Sequence, residues 1–170
     1  MITKANKNID WTIVFFHIPF YSADDSYTTH MRRTYHPVFD EFGVDLVLQG
    51  HSHNYQRSYP LIYNDRIHSQ PMVSDKEQIR YENPDGPIFA IVGTAGESVK
   101  HLNNKYFLAK TYEGYGCINV EILGKSMNVE YYSDTNKPID KFSITKYQHN
   151  PNIVDFKSDM QNVDYYKPPK

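Results

Sequence analysis

Gly50-His51-Ser52-His53 holds the most reactive chemistry in the sequence. Two imidazoles separated by one residue stand at the end of an apolar run, Val44 to Leu48, and Tyr55-Gln56-Arg57 follows them. On a turn leaving a buried strand they can aim into one small space. Neutral imidazole is a borderline ligand that suits zinc, iron or manganese, so the pattern points to a metal ion. A second apolar run, Ile13-Val14-Phe15-Phe16, also ends in a histidine, His17. Alone, His17 reads sooner as a satisfied core histidine than as a ligand, and His51-Ser52-His53 alone reads equally as a polar turn. Together, at the ends of two strands, His17, His51 and His53 read as metal ligands. The carboxyl ends of parallel strands open on one edge of a sheet, where α/β enzymes place their sites.

The elements that must position them follow from the pattern. Residues 12–17 form a continuous β-branched and aromatic run, which predicts a strand buried on both faces. Pro19 then forces the chain out of the ladder. Residues 22–29 are polar and read as a loop. Met31, Tyr35, Val38, Phe39 and Phe42 follow helical spacing, which predicts a helix over 30–42. Pro37 breaks or kinks it, allowing two short pieces, and Gly43 is a natural stop. Residues 44–49 are the second strand. Strand, helix, strand at this spacing predicts a βαβ unit and a parallel pair. Beyond it, 58–63 alternates weakly as a strand, 64–86 reads as a long polar excursion, and 87–93 as a strong buried strand. An antiparallel hairpin turns at Gly124-Lys125, a further strand covers 139–147, and the polar, Pro-bearing 148–170 reads as an arm, lying on the surface or disordered.

Composition narrows the function. The chain has 170 residues, enough for one cored domain or a large piece of one. A formal charge of −2 gives no electrostatic case for nucleic acid or a membrane surface as partner. No apolar run approaches the roughly 20 residues of a membrane span. The aromatic share of 15% favours a β-rich fold. Cys117 is the single cysteine, so no internal disulfide forms and the compartment stays open.

Val14-Phe15-Phe16-His17-Ile18-Pro19-Phe20-Tyr21-Ser22 and Gly50-His51-Ser52-His53-Asn54-Tyr55-Gln56-Arg57 resemble the last two signature blocks of the calcineurin-like metallophosphoesterases, with the purple acid phosphatases as the nearest branch. The likeness continues through Gly86 to Gly93 and into Tyr115 to Val120. It implies an α/β fold: the C-terminal half of a metallophosphoesterase β-sandwich flanked by helices, a βαβ unit followed by mainly antiparallel strands. On this reading residues 1–147 are a partial catalytic domain and 148–170 an arm. The implied activity is hydrolysis of phosphate esters by two metal ions, iron with zinc, manganese or a second iron. Such ions hold the phosphate and activate water for in-line attack. The resemblance implies that His17 and His51 bind the second, more exchangeable ion, and His53 the first. It assigns His30, in the loop before the helix, to the substrate phosphate or to protonation of the leaving group, against the plain alternative of a solvated loop histidine. Tyr55 and Arg57 would brace the turn.

The departure is the stretch before His17. The family's earlier blocks supply two aspartates, an asparagine, another histidine and a tyrosine, and no counterpart precedes His17 here. Asp10, Asp24, Asp25, Asp40 and Asp45 match no motif and receive no ligand role. The expectation is therefore a C-terminal fragment lacking its N-terminal half, inactive alone, holding at most one weakly bound ion and prone to self-association through exposed apolar surface. The alternative is a non-catalytic half-domain that serves as a binding or regulatory module; a mononuclear hydrolase on the three histidines ranks last. Family resemblance favours an extracytoplasmic location.

Overall fold

β1 (Ile13–Phe16) and β2 (Leu46–Gln49) pair in parallel with Phe16 opposite Gln49, and α1 (Thr29–Phe42) lies between them in sequence. The expected βαβ unit is therefore present. The computed structural model describes residues 9–23, 29–96, 99 and 101–147; the arm expected over 148–170 lies outside the described residues.

α1 stops where the sequence says it should. Gly43 takes a left-handed φ of 60°, its N–H bonds to the Asp40 carbonyl, and the Val44 N–H bonds back to Phe39 O at 3.0 Å. Those two bonds satisfy carbonyls that the helix end leaves over, and Val44 and Phe39 join the same apolar cluster. The expectation of two short pieces is corrected: α1 runs unbroken through Pro37. The carbonyl that Pro37 deprives of a partner belongs to Arg33, an exposed residue, where water can satisfy it.

The remaining strands are β3 (Tyr55–Ile62), β4 (Met72–Val73), β5 (Arg80–Glu82), β6 (Ile88–Val92), β7 (Leu108–Tyr112), β8 (Gly116–Leu123), β9 (Ser126–Ser133) and β10 (Pro138–Thr145). They form two sheets. The first runs β1-β2-β6-β3-β4 with β7 also on β3; the second runs β5-β10-β9-β8. The expected hairpin is β8–β9, with Gly124 at a φ of 56° in its two-residue turn. The polar excursion is not structureless: β5 lies within it, because Tyr81 is an apolar anchor, 1% exposed, that places Arg80–Glu82 in parallel beside β10. β3 likewise begins at Tyr55, three residues earlier than the alternation suggests.

Two cores result. Leu46 and Ile88 of the first sheet meet Tyr81, Met127, Val129, Phe142 and Ile144 of the second. On the other face Val47 and Phe89 pack with Phe20, Tyr21, Leu61 and Phe107, and Phe39 and Met31 of α1 close over them. β1 corrects another expectation. Among the described residues it is an edge strand, not one buried on both faces, and Phe15 is 80% exposed. The second sheet covers β2 and β6 and reaches Trp11 and Ile13, but it stops short of Phe15. The fold is a mixed α/β, sheet-dominated sandwich with one long helix among the described residues.

Candidate metal centre

β1 and β2 are parallel and adjacent, so their carboxyl ends open side by side. His17 follows β1 directly, and His51 lies two residues past β2. The Gly50 N–H donates to the His17 carbonyl at 3.0 Å, which extends the ladder by one step and fixes the spacing of the two exits. Glycine suits this approach: a Cβ on Gly50 would lie 3.3 Å from His17 Nδ1. His51 then adopts φ 65°, a left-handed conformation that costs a non-glycine residue about 1–2 kcal/mol. Such strain concentrates where the surrounding structure fixes a functional group.

The outcome is a pair of facing imidazoles. His51 Nδ1 lies 3.4 Å from His17 Nε2, and the rings stand edge to face at 79°. Two nitrogens each held about 2.0–2.1 Å from one tetrahedral ion sit about 3.4 Å from each other, so the pair has the separation that a shared ion requires. Both side chains are exposed, which leaves further positions open to ligands or substrate. Among the described residues, no group of three or more His, Cys, Asp or Glu is placed to hold an ion together. The donors fit part of one coordination shell.

The other expected residues fall as follows. His53 is half-buried on the same turn and completes no such cluster with His17 and His51. His30 sits exposed in the first turn of α1 rather than in a loop, because the helix begins at Thr29. Asp45 lies at the opposite end of β2, accepting the Thr12 N–H and pairing with Lys146 at 2.6 Å. Burial raises its carboxyl above the usual 3.8 and outweighs the opposing pull of Lys146. Asp10 pairs with Lys125, and Asp40 accepts the Tyr63 N–H. His36 shows what a core histidine looks like here: fully buried, with its Nδ1 2.6 Å from the Tyr21 hydroxyl, whose own ionisation burial pushes far up.

The side-chain hydrogen bonds of Tyr55 and Arg57 lead away from the turn they were expected to brace. Both reach across the sandwich to Asp140 on β10. Arg57 donates from Nε to Oδ2 at 2.6 Å and from Nη2 to Oδ1 at 3.1 Å, and the Tyr55 hydroxyl donates to the same carboxylate at 2.7 Å. Burial works against the Arg57 charge, but Asp140 outweighs it and holds the guanidinium protonated. The turn itself is held by residues that the motif reading passed over. Gln56 bonds to Ser22, Ala23 and Asn54, and Ser22 to Ser52. Gly93, closing β6, donates to the Asn54 carbonyl at 3.3 Å, and a Cβ there would lie 1.9 Å from Ser52 O. A glycine ending an apolar strand was the one local signal of that close approach.

Residues 2–55 match the family model described as calcineurin-like phosphoesterase. The chain is 32% identical over 154 residues to acid phosphatase type 7 of Mus musculus, covering 78% of this chain and 34% of that protein. It is 32% identical over 114 residues to an acid phosphatase of Aspergillus ficuum, covering 66% of this chain and 17% of the relative. Its fold superposes on purple acid phosphatase PPD1 from yellow lupin (Lupinus luteus) seeds with a TM-score of 0.70 at 24% identity, covering 80% of this chain and 25% of the lupin chain. The chain thus spans about a third or less of the length of each.

Proposed function

For a chain that is related to the calcineurin-like phosphoesterases and acid phosphatases and folded like part of a purple acid phosphatase, we propose a share in the hydrolysis of phosphate esters at a two-metal site. The observation that carries the reading is the 3.4 Å approach of His51 Nδ1 to His17 Nε2 at one sheet edge. His17 and His51 would hold one ion of the pair, and His53 would contribute to the other. Iron with zinc, manganese or a second iron is the metal set of this reading. Bound there, such ions supply an electrophilic grip on the phosphate and the acidity that turns water into a nucleophile.

The chain's own groups do the rest. The left-handed His51 and the Gly50–His17 bond hold two imidazoles in register before any ion arrives. His30, exposed on the first turn of α1, would meet the phosphate or protonate the leaving oxygen. The helix start beside it adds N–H groups and a favourable dipole for an anion. Two ions need a bridging carboxylate, and the described residues place none beside the histidines. The chain alone would therefore bind one ion weakly and turn over little; the N-terminal half of the relatives' domain would supply the remaining ligands. An extracytoplasmic setting accompanies this reading, and no helix of the described residues is long and apolar enough to cross a membrane.

The same lack of a third donor supports a second reading, a non-catalytic half-domain that binds or regulates a partner. Calorimetric titration with Zn²⁺ and a phosphomonoester assay separate the two. The first reading expects binding by the wild-type chain that His17→Ala and His51→Ala each abolish, with negligible turnover until the complementary half is added. Absence of ion binding by the wild-type chain would leave the second. Robust metal-dependent turnover by the pure chain would refute the claim that these histidines form only part of a working site.

A further inference from the structure

Gln56 lies three residues past His53, 1% exposed, on the α1 face of β3. Its amide uses both ends. Oε1 accepts the Ala23 N–H at 2.7 Å, while Nε2 donates to Ser22 Oγ at 3.1 Å and to Asn54 Oδ1 at 2.8 Å. Ser22 Oγ lies 3.1 Å from Ser52 Oγ, and Ser52 stands between His51 and His53. All four residues, Ser22, Ser52, Asn54 and Gln56, are buried.

We infer that Gln56 is the positioning residue of the histidine pair: one buried amide staples the segment that leaves β1 to the turn that leaves β2. Ser22 and Ala23 end the segment that begins at His17. Ser52 and Asn54 flank His53 on the turn that carries His51. The Gly50–His17 backbone bond fixes the near end of these two segments, and Gln56 fixes the far end. Without the second point, each segment could pivot about the first, and the imidazoles would lose their common focus. A shift of a few tenths of an ångström matters at a metal site, since outer-shell partners are typically worth 10–100-fold in metal affinity. The role also needs an amide, not merely bulk. A methionine of similar length would leave the Ala23 N–H and Asn54 Oδ1 without the partner they have now.

The inference rests on the proposed ion site only for its metal arm. The full chain and its Gln56→Met and Ser22→Ala variants are titrated with Zn²⁺ and followed by amide hydrogen exchange without metal. Gln56→Met should bind Zn²⁺ about 10–100-fold more weakly. It should also speed exchange at the Gly50 N–H, which Gln56 does not touch. Ser22→Ala keeps the amide's other two bonds and so stays folded, and it should move both readouts in the same direction by less. Unchanged Zn²⁺ affinity and unchanged Gly50 exchange in folded Gln56→Met would overturn the inference. Should the wild-type chain bind no Zn²⁺, the ion-site reading fails, and the Gly50 exchange of the two variants still decides the role of Gln56.

Discussion

Arg57 and Asp140, 83 positions apart in the chain, form a two-pronged ion pair sealed between the sheets. Arg57 is 1% exposed and Asp140 8%. Nη1 also donates to the Tyr81 hydroxyl at 2.8 Å, Nη2 to the Gln78 carbonyl, and the guanidinium lies 4.6 Å over the Phe142 ring. Burial pushes the Tyr81 hydroxyl up to about 12, against the lowering effect of Arg57, so it stays a neutral acceptor. The pair ties β3, which carries the histidine turn, to β10 of the other sheet.

Breaking that pair on one side should be costly. Asp140→Ala strands a buried guanidinium, and the expected loss is about 3–5 kcal/mol in urea unfolding. The double variant Arg57→Met/Asp140→Leu should recover much of it, because no buried charge is then left alone. Equal losses for single and double variants would argue against charge stranding as the cause.

His51→Gly should separate stability from binding. Glycine relieves the left-handed strain at φ 65°, so the variant should be more stable by about 0.5–1 kcal/mol, the strain relief less glycine's entropy cost. It should also lose Zn²⁺ binding. His51→Ala should lose binding without the gain. Thermal unfolding and calorimetry on the three proteins check both halves.

Gly93→Ala tests the back of the turn. The new Cβ would meet Ser52 O at 1.9 Å, and backbone has to move. A destabilisation of about 1–3 kcal/mol is expected from the overpacking, together with weakened Zn²⁺ binding, since Ser52 lies between the histidines. Wild-type affinity in this variant would mean that the turn is not held from behind.

The Asp45 carboxyl titrates above its ordinary 3.8 in the folded chain, chiefly through burial. The folded state therefore binds the extra proton in the window that opens at 3.8 and closes at the folded midpoint. Its contribution to stability is full below that window and falls as pH rises through it. Asp45→Asn keeps an acceptor for the Thr12 N–H and removes the titration. Denaturant unfolding from pH 3.5 upward should show the wild-type chain losing ground to the variant as pH rises.

Phe15 and the outer edge of β1 form an apolar, strand-edged surface, with Phe15 80% exposed. Such edges invite pairing. The chain should self-associate in sedimentation, and Phe15→Lys should shift it toward monomer. A wild-type chain that sediments as a monomer at high concentration would remove this expectation.

Local signals read correctly from the sequence share one property: each is decided within a few residues. The stop of α1 at Gly43, the β8–β9 turn at Gly124 and the emergence of His17 and His51 from apolar strands all follow from neighbours along the chain. What stayed out of reach depends on partners far away. Gln56 looks like any polar residue of the motif until Ser22 and Ala23 arrive beside it. Arg57 looks like a brace for its own turn until Asp140 claims it across the sandwich.

By itself, then, the sequence determined the strand-helix-strand unit, the hairpin and the kind of chemistry that three strand-end histidines can support. Tertiary structure decided that His17 and His51 share a focus, that β1 lies at an edge with Phe15 outward, and which buried amide and ion pair hold the turn. The physical reason is burial. A polar group removed from water must find its partner wherever the packed sheets bring one, and sequence spacing does not record that distance.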